Sequence, residues 1–167
     1  GGFIWEWKDH GLRQRLSDGR TRLAYGGQFG DTPNDGNFVA DGLVGSEGEP
    51  HPAMREVAWV YRPVAVAAGR RNTLRISNRQ AFTGLAGLRA EWQLLVDGEP
   101  LGSGELVVHD VAPLSSADSA LPVAVPADVG PVQLAVRWFS RAAAPWAPAC
   151  HLVAWDQVQL RAAPRVR

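Results

Sequence analysis

The stretch Arg89-Ala90-Glu91-Trp92-Gln93-Leu94-Leu95-Val96-Asp97-Gly98 places Trp92, Leu94 and Val96 on one face and ends at a turn. That spacing of two is the mark of a half-buried strand. Asp97-Gly98 is a strong signal for a two-residue hairpin turn. An answering strand is expected over Glu105 to His109. Working outward, Asn72 to Asn78 puts Leu74 and Ile76 on one face and Arg75 and Ser77 on the other. Leu121 to Val125 is a short run between prolines. Val132, Leu134, Val136 and Trp138 alternate through a long strand, and Cys150 to Leu160 supplies the last. Ser115-Ser116 and Ala142 to Pro145 read as loops.

About seven short strands in ~105 residues is the pattern of an immunoglobulin-like antiparallel β-sandwich, with Trp92 and Trp138 inward. The Cys–Trp–Cys signature of antibody domains is missing, because Cys150 is the only cysteine. It also excludes an intrachain disulfide and a cysteine-based zinc cluster, and a buried place in a strand is expected for it.

Residues 1–61 have a different character. Gly2 to Trp7 reads as a short buried strand, and Ser17-Asp18-Gly19 as a turn within a polar stretch. The run Ala24-Tyr25-Gly26-Gly27-Gln28-Phe29-Gly30-Asp31-Thr32-Pro33-Asn34-Asp35-Gly36-Asn37-Phe38 is too rich in glycine, proline, aspartate and asparagine for a helix or a long strand. Val39 to Val44 is expected to be a short extended piece. Pro52 suits a first helical position, so Ala53 to Trp59 is expected to start a helix.

Composition bounds the function. At 167 residues the chain has room for one large or two small domains, and 46% hydrophobic residues support a real core. Seventeen positive charges balance seventeen negative ones, which argues against a nucleic-acid partner. Lys8 is the only lysine, a skew that reads as coding bias. No apolar run approaches the ~20 residues of a membrane helix. A cytoplasmic parent is the expectation, since nothing points to an oxidising compartment.

Hydrolysis of a glycosidic bond needs two carboxyl groups ~5 to 10 Å apart. Glu6, Asp9, Asp31, Asp35, Asp41 and Glu56 offer no pair that spacing alone sets at that distance. His10, His51, His109 and His151 lie in unrelated segments, and no serine sits in a nucleophile elbow, so no catalytic residue is assigned.

Trp5, Trp7, Phe29 and Phe38 set flat apolar faces among oxygen-rich loops, which suits a sugar ring. Gly1-Gly2-Phe3-Ile4-Trp5-Glu6-Trp7, the Ala24–Phe38 run and His51-Pro52-Ala53 resemble the part of a family 2 glycoside hydrolase β-galactosidase that closes its catalytic barrel. Cys150-His151-Leu152-Val153-Ala154-Trp155-Asp156-Gln157 is similar to a closing pattern of the same family. The resemblance implies residues 1–61 as the end of a (β/α)8 barrel, with its last strand and loops, and 62–167 as the β-sandwich that follows. It implies a piece of a retaining β-galactosidase acting on terminal β-D-galactosides, with sodium and magnesium in the parent and none expected in this piece. The catalytic glutamates of the family lie on earlier barrel strands.

The resemblance further implies Trp5 as part of the wall against galactose, where an eighth barrel strand would end. It implies Phe38, through its carbonyl, and Asp41, through its side chain, as oxygens for sodium, with Asp41 standing where the family has asparagine. Asp41-Gly42 as a plain turn is the competing reading. The implied partners are the β-galactoside, the remainder of the enzyme chain and a possible second copy. A non-catalytic carbohydrate-binding module and a structural sandwich are the alternatives, and tryptophans exposed on a sheet face would favour the first. Asp156 and Gln157 are expected to be solvated or cross-strand partners.

Overall fold

The computed structural model describes residues 2–127 and 129–162; Gly1 of the expected barrel segment, and Asp128 and 163–167 of the expected sandwich, lie outside the described residues. The chain divides into two compact units, Gly1–Val60 and Tyr61–Arg167.

The first unit holds strands β1 (Leu12–Arg15) and β2 (Thr21–Ala24) and helix α1 (Ala53–Val60). β1 and β2 pair antiparallel, Leu12 opposite Ala24, around the Ser17-Asp18-Gly19 turn. Gly19 takes φ +87°, a conformation that a side chain would strain. α1 starts directly after Pro52, as its fixed φ favours. The expected strand over Gly2 to Trp7 is not formed. That segment runs beside Asp41 to Val44, through Leu43 N–H to Glu6 O and Val44 N–H to Trp7 O, both 2.9 Å, and a single parallel bridge, Lys8 to Val44. One bridge is too little ladder for a strand. Among the described residues, Ala24 is the only buried apolar side chain of this unit.

The second unit is an antiparallel sandwich. Strands β3 (Val64–Ala68), β4 (Thr73–Asn78) and β7 (Ser116–Ala120) form one sheet in the order β3-β4-β7. Strands β5 (Leu88–Val96), β6 (Glu99–Leu106), β8 (Val132–Ser140) and β9 (Leu152–Arg161) form the other, in the order β6-β5-β8-β9. Val64, Leu74 and Ile76 of the first sheet pack into one core with Leu94, Val132, Leu134, Val136 and Trp138 of the second. This is the immunoglobulin-like arrangement that the alternation predicts.

Several expectations are corrected. β6 begins at Glu99, immediately after Asp97-Gly98, and both turn residues have positive φ, 52° and 86°, the geometry that follows strand twist. Leu121 to Val125 is not a strand, whereas polar Ser116–Ala120 is one. β7 lies at a sheet edge and is held by cross-strand polar pairs, Ser77 Oγ to Ser116 Oγ at 2.9 Å and Arg75 to Asp118 at 3.2 Å. Trp138 and Trp92 both pack inward as expected, Trp138 fully buried and Trp92 half-buried against the core and Gly104 of β6. Cys150 is exposed, at φ +63° in the connection between β8 and β9, because the last strand starts two residues later than expected.

Asp156 is not a solvated residue. It lies 7% exposed on β9 and accepts Arg62 Nη2–H at 2.8 Å, Arg62 Nε–H at 3.3 Å and Val66 N–H at 2.8 Å. Its carboxylate thereby satisfies an edge amide of β3 and pairs with a cation that is itself nearly buried, at 10% exposure. Asn78, the other buried polar side chain described, donates to Thr83 O and Val111 O, both at 2.8 Å, and accepts Gln80 N–H. Most buried polar groups find hydrogen-bond partners, and these two do, whereas the indole Nε1 of Trp138 has none.

Two stability outcomes follow for the sandwich. Trp138→Ala should cost ~3–5 kcal/mol, by lost burial plus the cavity left behind, and Trp92→Ala less. Asp156→Ala should cost about 3–5 kcal/mol, since it removes the buried carboxylate that pairs with Arg62 and leaves the edge amide of Val66 without its acceptor. Urea unfolding followed by circular dichroism measures both. Neither variant behaving differently from the parent chain would contradict the packing described.

Candidate functional site

The loop-rich part of the first unit is tied together by its own polar groups. Gly27 N–H donates to both Asp31 carboxylate oxygens at 3.1 Å, and Asn34 Nδ2–H donates to Asp31 O at 2.9 Å. Asn34 Oδ1 accepts Gly36 N–H at 3.1 Å. Gly26 passes so close to Gly36 that a Cβ would stand 2.7 Å from the Gly36 carbonyl oxygen. Phe38 N–H donates to Asp35 O and Ala40 N–H to Asn37 O, both at 3.1 Å, so two successive turns lead up to Asp41.

Trp5 is 73% exposed in this chain. The Trp5–Glu6 peptide is cis. Glu6 pairs with His10 at 2.9 Å, and Glu6 N–H reaches Asp41 O at 3.4 Å, so the backbone next to Trp5 lies alongside Asp41. Phe38 is 69% exposed, three residues ahead of Asp41. The structure thus brings Trp5 and Asp41 into adjoining segments and sets Phe38 in the turn that precedes Asp41.

Asp41 Oδ1 is buried and makes no hydrogen bond. A buried carboxylate oxygen without a partner is costly, and a cation relieves that cost. The donor chemistry fits a hard monovalent ion, for which carboxylate and carbonyl oxygens are the suitable ligands. Among the described residues, however, no three histidine, cysteine, aspartate or glutamate side chains converge on one point. Asp41 would therefore be one ligand of a set completed by other groups.

Asp9 and His51, which the sequence does not mark as site residues, both bond to Gly42. Asp9 Oδ1 accepts Gly42 N–H at 2.7 Å, and His51 Nδ1 stands 2.9 Å from Gly42 O. A carbonyl only accepts, so His51 carries its proton on Nδ1. His51 Nε2 lies 3.6 Å from the other Asp9 oxygen. The His51-Pro52-Ala53 motif was the only trace of this in the sequence.

In the sandwich, the tryptophans do not form an exposed sheet-face platform. Trp138 is buried, Trp92 and Trp155 are half-buried, and exposed Trp146 lies in the β8–β9 connection with its ring edge-on to His151 at 5.6 Å. No helix among the described residues is long and apolar enough to cross a membrane.

Comparison with known proteins defines the class. Residues 1–66 match the family model described as the TIM barrel domain of glycosyl hydrolases family 2, and residues 74–161, more than half of the chain, match the model described as domain 4 of β-galactosidase. The β-galactosidase of Arthrobacter sp. (strain B7) is 35% identical over 96% of this chain and 17% of its own length. That of Erwinia tasmaniensis (strain DSM 17950 / CFBP 7177 / CIP 109463 / NCPPB 4357 / Et1/99) is 35% identical over 98% of this chain and 16% of its own length. The chain belongs to the β-galactosidases of glycoside hydrolase family 2, and spans about a sixth of the length of these curated relatives.

The Asp31 loop gives a pH outcome. The Gly27 N–H bond, foremost, lowers the Asp31 pKa below its ordinary value. A carboxylate lowered on folding stabilises the loop above its unfolded pKa and loses that effect as pH falls through the folded value. Protection of the Gly27 amide from exchange should therefore fall below about pH 4, and Asp31→Asn should abolish that pH dependence. An unchanged Gly27 amide across acid titration would contradict the role given to Asp31.

Proposed function

We propose that this chain is part of a retaining β-galactosidase, to which it gives a portion of the sugar site and a sandwich domain but neither catalytic carboxylate. Trp5 offers its indole face to the apolar C–H face of galactose, whose hydroxyl rim then meets the polar loop. Asp41, with the Phe38 carbonyl, contributes oxygens to a sodium site beside the sugar. A bound sodium ion supplies a fixed positive charge that a sugar hydroxyl can ligate. Magnesium is assigned to the larger enzyme, with no residue of this chain as its ligand.

The observation that carries this reading is the buried, unpartnered Asp41 Oδ1 in a segment hydrogen-bonded to the backbone next to exposed Trp5. A plain turn has no need of a carboxylate oxygen turned away from solvent and from every donor. The carbohydrate-module alternative asks for tryptophans exposed on a sheet face, and Trp92, Trp138 and Trp155 do not meet it. The exposed free thiol of Cys150 supports a reducing, cytoplasmic setting for the parent. Partners on this reading are the β-galactoside, the rest of the enzyme chain and a second copy of it.

Steady-state kinetics of the complete enzyme across a sodium titration test the proposal. Trp5→Ala should raise KM for a β-galactoside about tenfold, equivalent to about 1.4 kcal/mol of lost contact. Asp41→Ala should blunt the sodium dependence of KM, whereas Asp41→Asn should be mild because it keeps an oxygen donor. The 167-residue chain alone should hydrolyse no chromogenic β-galactoside. If Asp41→Ala leaves the sodium dependence of KM unchanged, Asp41-Gly42 is an ordinary turn.

A further inference from the structure

The backbone around Asp41 is bonded at every polar group of the two peptides that follow it. Asp41 O accepts Glu6 N–H at 3.4 Å, Leu43 N–H donates to Glu6 O at 2.9 Å, and Leu43 O accepts His51 N–H at 3.0 Å. Between them, both sides of Gly42 are held by side chains: its N–H by Asp9 and its carbonyl by the His51 ring. Asp9 lies 33 positions from Gly42 in the sequence. Its second oxygen lies 3.6 Å from His51 Nε2, beyond hydrogen-bond distance, so the two residues act on Gly42 separately.

Asp9 is 14% exposed at its side chain and His51 37%. Their bonds to Gly42 are therefore only partly open to competition from water. A charge-assisted bond from a backbone amide to a carboxylate is among the stronger ones available. Gly42 itself is required by space: a Cβ there would lie 2.5 Å from the Lys8 carbonyl carbon and 2.8 Å from Lys8 Cα. The clamp can close only because residue 42 has no side chain.

Fixing the Gly42 peptide fixes the direction in which Asp41 leaves the backbone. Only the two side-chain torsions of Asp41 then remain to place its carboxylate. One oxygen of that carboxylate, Oδ1, is buried and has no hydrogen bond among the described residues. We propose that Asp9 and His51 are positioning residues, which clamp the Gly42 peptide so that the Asp41 carboxylate stays preorganised for a monovalent cation. This rests on the reading of Asp41 as a sodium ligand. Neither residue touches the ion or the sugar.

The test measures sodium binding to the complete enzyme, without substrate, by sodium-23 NMR, alongside kinetics. Asp9→Ala and His51→Ala should each weaken sodium binding about tenfold or more, as expected for loss of a hydrogen bond to a charged group or to its partner peptide. Asp9→Asn and His51→Gln, which keep the acceptor and the donor, should stay within about threefold of the parent. In the alanine variants KM should recover as sodium is raised, with kcat at saturating sodium little changed. A general loss of structure would instead lower kcat at every sodium concentration.

Asp41→Ala is the control for the underlying reading: if it leaves sodium binding intact, Asp41 is no ligand and the reading falls. If Asp41→Ala weakens sodium binding while Asp9→Ala and His51→Ala do not, the clamp is overturned and the sodium ligand stands. Should Asp9→Ala yield no folded enzyme, His51→Ala against His51→Gln decides, and equal sodium affinity in those two overturns the proposal.

Discussion

The loop-rich unit depends on the near contact between Gly42 and the Lys8–Asp9 backbone. The approach brings the Asp9 carboxylate within 2.7 Å of the Gly42 amide. It also aligns Glu6 and Trp7 with Leu43 and Val44, whose amides donate to them. Among its described residues this unit buries one apolar side chain, Ala24. Polar bonds across long sequence separations tie its segments together, and they end in the segment that carries Asp41.

The sandwich has a large apolar core, yet it uses the same device at one edge. Asp156 of β9 takes the Val66 amide of β3, as Asp9 takes that of Gly42, and an arginine completes the charge balance. In both units a carboxylate distant in sequence satisfies a backbone donor that no neighbouring strand can reach. The consequence differs. In the sandwich the arrangement seals the β3–β9 margin over a packed interior. In the first unit it leaves a nearby carboxylate, Asp41, with a buried oxygen that nothing pairs.

What could be read in the sequence follows from which forces leave a periodic trace. Trp138 and its alternating neighbours announce β8 because burial on one face imposes period 2. Asp97-Gly98 announces its turn because few residues accept positive φ in sequence. β7 left no such trace: Ser116–Ala120 is an exposed edge strand whose pairing rests on serine hydroxyls and an ion pair. Asp156 follows Trp155 in a strand and looks solvent-facing until Arg62, 94 positions away, folds against it. The Asp9–Gly42–His51 network is equally silent, because a clash avoided by a glycine appears only when the chain is folded. Trp5, Phe38 and Asp41 are singled out by motif resemblance alone, and the structure gives the exposure of the first two and the unpartnered oxygen of the third.

A structure of the complete enzyme with galactose and sodium bound is the most direct measurement. It should show the Trp5 indole against the sugar face and an Asp41 carboxylate oxygen on the ion, with the Gly42 peptide still bonded to Asp9 and His51. A sodium ion bound to other residues, with Trp5 packed away from the sugar, would contradict the site assigned to this chain.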